Sequence, residues 1–573
     1  MPTTAELLIE SLKECGVSVI FANLGSDHPA LIEALATARE RGVDTPAVVI
    51  APHEMCALSA AHGYALATGE AQAVFVHTDV GTANLGGSVH NAARSKVPVF
   101  IFAGLTPYTL EGELPGTRNT WVNNTQEVRD QQSLVRPYAK WSYDIRTGLN
   151  VKQVVHRAMQ LAKSSPQGPV YLSGAREVLA EVVKRPKLSP TRWNPVAPIP
   201  APKDLIRRLG ADLAGAEHPL IITSHLGRNI AAVPKLVELA ERLGVGVVET
   251  IHTHVNFPAD HPLHLGYSAE HLIADADVVV VIDADSPWIP AVSAPSEDAV
   301  VYFVDADPLK EDLPLWYMPS DYFIRTDSEI FLEQLLQEMP AVDIDPSKVR
   351  ARTQRFEPIH RAQRDSWEKQ LEQLPQDKIT AEHVSLALSR LIDEETIIVN
   401  ESGTNKEKVF KHLGRNRPGT LFGNRGSSLG WSGGAAIGIK MAAPSRNVVR
   451  IVGDGSYFFS IPSATYWMAE QYDTPFLTVI LDNGGWNATK RNLQLQYPGG
   501  VADRTDRLWV NLGQSADLAG IAAAAGGAYA VRINKIGELE TGLKEALDKV
   551  ATGRSAVVAV SLEPISLQAW EHQ

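Results

Sequence analysis

The sequence predicts an α/β protein built from three doubly wound parallel-sheet domains, and three observations carry that reading. Short apolar runs alternate with helix-compatible stretches along most of the chain, the pattern of parallel strands joined by crossover helices. Two breaks interrupt the alternation: the proline-rich KRPKLSPTRWNPVAPIPAP over 184–202, and a charged stretch over 348–369 that follows Met339-Pro340. They leave three segments, 1–183, 203–338 and 376–573. Finally, several apolar runs stop at small clusters of glycine and polar residues, at the strand edge where such sheets hold ligands. A chain of 573 residues is too long for one core, and roughly two to four domains are expected.

In the first segment Thr4 to Glu14 has helical spacing and ends at Gly16. Val17 to Ala22 reads as a strand running into the loop Asn23-Leu24-Gly25-Ser26-Asp27-His28-Pro29. Ala47 to Ile50 is a strand leading to Pro52-His53-Glu54, and Met55 to Thr68 is a helix rich in small residues. Val74 to His77 and Pro98 to Ala103 are further strands. The central segment offers strands at Leu220 to Thr223, Val245 to Glu249, Val278 to Ile282 and Val300 to Val304. The third segment holds the most informative stretch, NVVRIVGDGSYFFSIPSATYWMAEQYDTPFLTVILDNGGWN, residues 447–487. Val448 to Val452 and Phe476 to Leu481 read as buried parallel strands with a helix over Ile461 to Tyr472 between them. The first strand stops at Gly453-Asp454-Gly455 and the second at Asp482-Asn483-Gly484-Gly485.

Composition narrows the class. Hydrophobic residues at 44% and charged residues at 21% describe an ordinary globular protein, and a net charge of −13 argues against nucleic acid as a partner. Two cysteines, Cys15 and Cys56, provide neither a disulfide framework nor a zinc cluster. The start, MPTTAELLIESLKECG, is amphipathic and acidic, unlike a secretory signal, and no apolar run reaches the ~18 residues of a membrane span. A cytoplasmic protein without a membrane partner is the expectation.

A carboxylate and an amide oxygen at adjacent strand ends, among glycines that admit backbone, suit a hard octahedral cation that already carries phosphate oxygens. GDG alone is also an ordinary strand-ending turn; the second cluster at the next strand end turns the reading toward Mg²⁺ on a diphosphate. The spacing from Gly453-Asp454-Gly455 to Asn483 resembles the diphosphate-binding signature of thiamine diphosphate enzymes. The branch it resembles contains acetolactate synthase, benzoylformate decarboxylase and pyruvate decarboxylase. That resemblance implies Asp454 and Asn483 as side-chain ligands of Mg²⁺, the Gly485 carbonyl as a third, and Gly453, Gly455 and Ser456 at the diphosphate. One departure stands out, since the family usually has asparagine where this chain has Asp482.

The resemblance covers nearly the whole chain and implies its domain order: pyrimidine-binding, central, diphosphate-binding. A glutamate at a helix start ordinarily complements the helix dipole at a surface. In PHEMCALSAAHGYALATG the family pattern instead implies that Glu54 activates the cofactor through its aminopyrimidine ring. Leu429 in RGSSLGWSGGAAIG resembles the apolar wedge that bends the cofactor. VHTDVGTANLGG and LVRPYAKWSY are similar to benzoylformate decarboxylase, implying proton transfer by His77 and His28 and a substrate role for Ser26. Gln126 in TQEVRDQ resembles an active-site glutamine of acetolactate synthase.

Trp486 and Asn487 fall where relatives line the substrate pocket, although Trp486 reads equally as packing between domains. His261 is expected to reach substrate; with His252, His254 and His264 it lacks the ligand spacing of a zinc site. His90 reads as structural. The C-terminal PISLQAWEHQ is too short for a domain and is a candidate cover for the site. In the central segment SHLGRNIAA offers one glycine for a pyrophosphate, which weighs against FAD or ADP even with Asp305 and Asp307 at a strand end.

The resemblance thus implies a thiamine diphosphate- and Mg²⁺-dependent enzyme making or breaking a carbon-carbon bond in a 2-keto acid or related carbonyl donor, as a homodimer at least and a tetramer by expectation. Decarboxylation and acetolactate-type ligation both stay open. Behind them stand 2-hydroxyacyl-CoA lyase and diketone hydrolase activity, and, in another class, a catalytically silent regulatory subunit that keeps the cofactor.

Overall fold

The structure, a computed structural model, describes residues 1–566; residues 567–573, most of the segment expected to cover the site, lie outside the described residues. Every strand pairing within the three sheets is parallel. The first sheet comprises β1 (Val19–Ala22), β2 (Ala47–Ile50), β3 (Gln72–Val76), β4 (Val99–Leu105), β5 (Trp141–Asp144) and β6 (Val170–Ala175), in the order β2-β1-β3-β4-β6-β5. The central sheet comprises β7 (Pro219–Thr223), β8 (Gly246–Glu249), β9 (Val278–Ile282), β10 (Val300–Asp305) and β11 (Tyr322–Arg325), ordered β11-β10-β9-β7-β8. The third comprises β12 (Ile397–Glu401), β13 (Leu421–Gly423), β14 (Val448–Gly453), β15 (Leu477–Asp482), β16 (Tyr529–Ile533) and β17 (Ala556–Ser561), ordered β13-β12-β14-β15-β17-β16.

The first and third sheets therefore share one topology. In each, the chain leaves the first strand toward one side and returns on the other, creating a switch point between β1 and β3 and another between β12 and β14. Helices that cross on opposite faces diverge at such a point and leave a crevice beyond the strand ends. The first crevice lies beside the loop 23–28 and His77; the second lies beside the turn at 402–405 and Asp454. Register completes the second one. Gly453 pairs with Leu481, so Asp454 and Asp482 leave neighbouring strands at one level.

Small residues hold the first and third domains together. Helix Glu54–Thr68 packs on helix Trp431–Ala442, and their buried alanines belong to one core with residues of both sheets. A Cβ on Gly434 would come within 2.6 Å of the Cys56 carbonyl, and one on Gly438 would strike the Ala60 carbonyl. Backbone cannot swing aside as a side chain can. Gly438→Ala is therefore expected to destabilise the protein by about 1–3 kcal/mol, read as a lower unfolding midpoint in calorimetry. An unchanged midpoint would mean that this contact carries no load.

The charged connection over 348–369 lies within one continuous 27-residue helix, Pro346–Glu372, capped by the Asp345 carboxylate on the Ser347 amide. Its Arg352 anchors it to the central domain through the Leu243 and Ala214 carbonyls. Among the described residues no helix is long and apolar enough to cross a membrane.

Candidate active site

The second crevice carries the expected metal and phosphate residues. Asp454 begins the short helix Asp454–Phe459 directly after β14 and is 3% exposed. Its Oδ2 is buried without any partner. Burial, aided by the nearby Asp482 charge, pushes its carboxyl up to about 7, although the Gly455 and Gly485 amides lie against it and oppose the shift. A buried carboxylate with a free oxygen and no counter-charge in the protein matches the chemistry of a cation ligand. Asn483 and Gly485 stand beside it: the Asn483 Oδ1 accepts the Gly485 amide at 3.2 Å. The turn they form needs glycine, since Gly484 has φ +73° and a Cβ on Gly485 would strike the Val510 carbonyl. The donor set, one anionic and otherwise neutral oxygens in an open turn, fits Mg²⁺ already holding a diphosphate.

Asp482, where the family pattern has asparagine, is accommodated by a partner fifty residues away. Its Oδ2 accepts from Arg532 Nη1 at 2.9 Å and its Oδ1 accepts the Gly484 amide at 3.2 Å. The extra negative charge is thus paired along the sheet with β16, although it still bears on Asp454. Arg532→Met would strand a carboxylate that is 1% exposed, and a loss of about 3–5 kcal/mol in denaturant titration is expected. Adding Asp482→Asn should recover most of it; failure to recover would show that Arg532 acts elsewhere.

Glu54 starts helix Glu54–Thr68 behind β2 and is 6% exposed. Its Oε2 accepts from Asn84 Nδ2 at 3.2 Å, and its Oε1 lies where a Cβ on Gly81 would be 3.2 Å away, so a small residue at 81 leaves the carboxylate its space. Leu429 is half-buried on a tightly held loop. Before it, the Ser428 amide donates to Asn91 Oδ1 and its carbonyl accepts from Asn91 Nδ2; after it, the Gly430 amide donates to Glu401 Oε1 at 2.8 Å. Glu401 also receives Ser432, which holds Arg450, so a buried chain from β12 and β14 fixes the Leu429 backbone.

At the first crevice the structure brings His77 and Gln126 together, their Nε2 atoms 2.5 Å apart. It adds a residue that sequence reasoning missed. Asp27 lies between the two histidines, its Oδ1 on His77 Nδ1 and 2.9 Å from His28 Nδ1. The signal was present in the loop: an acid two residues after Gly25, at a strand end facing another strand end that stops at histidine. Asp27, held by these histidines, stays well below the ordinary carboxylate range despite burial, while its hydrogen bond and charge push His77 up. Among the described residues Asp27, His28 and His77 form the one group with metal-ligand proximity.

The remaining residues divide. Ser26 is exposed in the same loop, its carbonyl 3.4 Å from Arg176 Nη1. Asn487 donates to Thr404 Oγ1 at 3.0 Å, joining the turn after β15 to the turn after β12. Trp486 lies where a Cβ on Gly455 would enter its ring, and it meets Phe459 edge-on, so it covers the turn at Gly455. Ser456 is buried in the helix that follows. His28 does not face the crevice as expected: it is fully buried against Phe102 with Nε2 unpartnered, because Asp27 and the Gly25 amide draw its Nδ1 inward. His261 is likewise turned from the crevices, its Nε2 3.3 Å from Glu241 and its ring against Phe257. His264 meets Glu249, and His252 stacks between Tyr267 and Phe410. His90 accepts from the Ser427 amide at 3.2 Å. In the central domain both Asp305 oxygens are taken by Lys96 and Lys310, which leaves that carboxylate engaged rather than open to a ribose.

Comparison with known proteins gives the family. Family models described as the N-terminal TPP binding domain, the central domain and the C-terminal TPP binding domain of thiamine pyrophosphate enzymes match residues 2–134, 206–335 and 401–560. Acetolactate synthase isozyme 3 large subunit of Escherichia coli (strain K12) is 26% identical over 98% of this chain and 95% of its own. Benzoylformate decarboxylase of Pseudomonas aeruginosa is 26% identical over 99% of this chain and 100% of its own. Among solved structures, the Rhodococcus jostii RHA1 thiamine diphosphate-dependent 4-hydroxybenzoylformate decarboxylase shares the fold with a TM-score of 0.79 at 21% identity, covering 98% of this chain and 99% of that one. The chain belongs to the thiamine diphosphate-dependent enzymes, in the branch that holds acetolactate synthases and benzoylformate decarboxylases.

Proposed function

We propose that the protein is a thiamine diphosphate- and Mg²⁺-dependent enzyme that makes or breaks the carbon-carbon bond beside the carbonyl of a 2-keto acid or related donor. The observation that carries this reading is Asp454, a buried carboxylate with a free oxygen at a topological switch point beside Asn483 and Gly485. These three groups would hold Mg²⁺, with the Gly455 backbone and Ser456 toward the diphosphate. The chemistry supplied by bound thiamine diphosphate is a nucleophilic carbon that adds to a carbonyl and accepts the electrons of the leaving group.

The chain's own groups handle position and protons. Glu54 presents a buried carboxylate that would take and return a proton at the cofactor's ring nitrogen. Leu429, whose backbone is held on both sides, would supply the apolar side chain against which the cofactor bends. His77 carries a proton toward the donor, and Gln126 beside it supplies an amide to orient a carbonyl oxygen. Trp486 keeps water off the phosphate turn. The relatives' names support both a decarboxylase and a ligase: besides the two described, matches include a probable 2-ketoarginine decarboxylase and a sulfoacetaldehyde acetyltransferase. We take the working unit to be a homo-oligomer, a dimer at least, with the pyrimidine-side and diphosphate-side residues meeting across subunits.

The test is product analysis by ¹³C NMR with a panel of labelled 2-keto acids, thiamine diphosphate and Mg²⁺. CO₂ with an aldehyde makes it a decarboxylase; CO₂ with an acetohydroxy acid makes it a ligase. Turnover restricted to diketones or acyl-CoA thioesters would move the reading to a hydrolase or lyase. Bound cofactor with no turnover of any donor would favour a silent subunit.

A further inference from the structure

We propose that Asp27 is a positioning residue for His77: its carboxylate keeps the proton on Nδ1, so His77 exchanges protons with substrate through Nε2 alone. The part concerning substrate rests on the function proposed above; the part concerning His77 does not.

The geometry is that of a built dyad. Asp27 sits in the loop after β1 and is 3% exposed, while the His77 ring, at the end of β3, keeps 20% of its surface open. Asp27 Oδ1 is hydrogen-bonded to His77 Nδ1, and Oδ2 accepts the Thr78 amide at 3.2 Å. The far ring nitrogen, Nε2, meets Gln126. Two glycines make room for this arrangement: a Cβ on Gly104 would fall inside the Asp27 carboxylate, and one on Gly25 would fall inside the His77 ring. The other neighbour of Asp27, His28, has Nδ1 occupied by the Gly25 amide at 3.0 Å and is sealed against Phe102. His28 therefore packs behind the carboxylate, fully buried, and offers no open face to the crevice.

Neutral imidazole carries its proton on either nitrogen, and the hydrogen bond at one nitrogen sets the state of the other. With Nδ1–H donated to Asp27, Nε2 is the site that gains or gives the proton. A proton leaving Nε2 for a substrate atom leaves neutral His77 with Nδ1–H intact and Asp27 ionised, and the reverse transfer restores the imidazolium. The charged groups facing His77 are Asp27, hydrogen-bonded to it, and Asp79 from its own helix; His28 shares Asp27 from the opposite side. Both acids stabilise the imidazolium, and Asp27 dominates.

Histidine C2-hydrogen exchange followed by mass spectrometry reads the titration midpoint of a single histidine in the full-length protein without turnover. In Asp27→Asn the His77 midpoint is expected to fall by about 1–3 units, the range for removing one close opposite charge. Gly104→Ala displaces the carboxylate while deleting no polar group and should shift the midpoint in the same direction, which guards against a folding defect peculiar to the first variant. An unchanged midpoint in both variants would overturn the proposal whatever the enzyme's substrate proves to be. Once a substrate is known, the limb of the kcat/KM profile that belongs to His77 should move to lower pH in Asp27→Asn, whether the acid or the base form is active. A purely structural role would lower the amplitude and leave the limb in place, which would overturn the substrate part while the midpoint shift preserved the rest.

Discussion

Glu54→Gln is expected to slow hydrogen–deuterium exchange at the thiazolium C2 of bound thiamine diphosphate to near the rate of the free cofactor, and to lower turnover by about 10²–10⁴-fold. The substitution keeps shape and hydrogen-bonding reach, so Asn84 retains a carbonyl acceptor and helix Glu54–Thr68 keeps its start. What disappears is the ability to accept and return a proton in a buried position where no other acid is hydrogen-bonded to the same group. Exchange needs no knowledge of the substrate, so it separates a working enzyme from a silent cofactor-binding subunit. Rapid exchange in the variant would show that another group activates the cofactor. Slow exchange in the wild type as well would withdraw the catalytic reading altogether.

Asp454→Asn is expected to act in opposite directions on the cofactor-free and cofactor-loaded protein. Without cofactor the variant should unfold at a higher temperature than wild type, because burial and Asp482 oppose the charge on Asp454 and amide replacement removes that charge. With thiamine diphosphate and Mg²⁺ present, the stabilisation that ligand binding adds to the native state should be largely lost, with an affinity decrease of about 100-fold or more in calorimetric titration. This crossing of the two melting curves distinguishes a metal ligand from a structural acid, which would lower both. Unchanged affinity would remove Asp454 from the ligand set and with it the observation on which the proposed function stands.

Much of the architecture was legible before folding was considered. The apolar runs 448–452 and 476–481, each ending in glycine and acid, announced the strands that form at 448–453 and 477–482, and the breaks at 184–202 and 339–369 lie between the three sheets. Motif spacing led to Asp454, Asn483 and Gly485 because the residues that converge there follow two consecutive strands, so the turn positions are read in order along the chain. His77 and Gln126 were legible as separate candidates. Their contact was not, because 49 positions separate them and Gln126 lies on the long segment between β4 and β5 rather than at a strand end.

His28 and His261 show the limit most clearly. Each has the residue type and the loop position of a proton carrier; His28 is drawn inward by its own loop and sealed against Phe102, and His261 is engaged by Glu241. Asp27 was passed over for the mirror-image reason: its place two residues after Gly25 is only a weak local signal, and its meaning comes from the His77 ring and the vacant side of Gly104. The same holds for Arg532, whose partner Asp482 lies across the sheet. Amino-acid order sufficed for the three-domain α/β plan and the residues of each strand-end turn, since those depend on periodicity and short spacing, and the resemblance those motifs carry implied the cofactor class. Which side chains face one another, which are sealed inside, and which carboxylate keeps a free oxygen were decided only by sheet order and packing, because burial and partnership arise between segments that the chain keeps far apart.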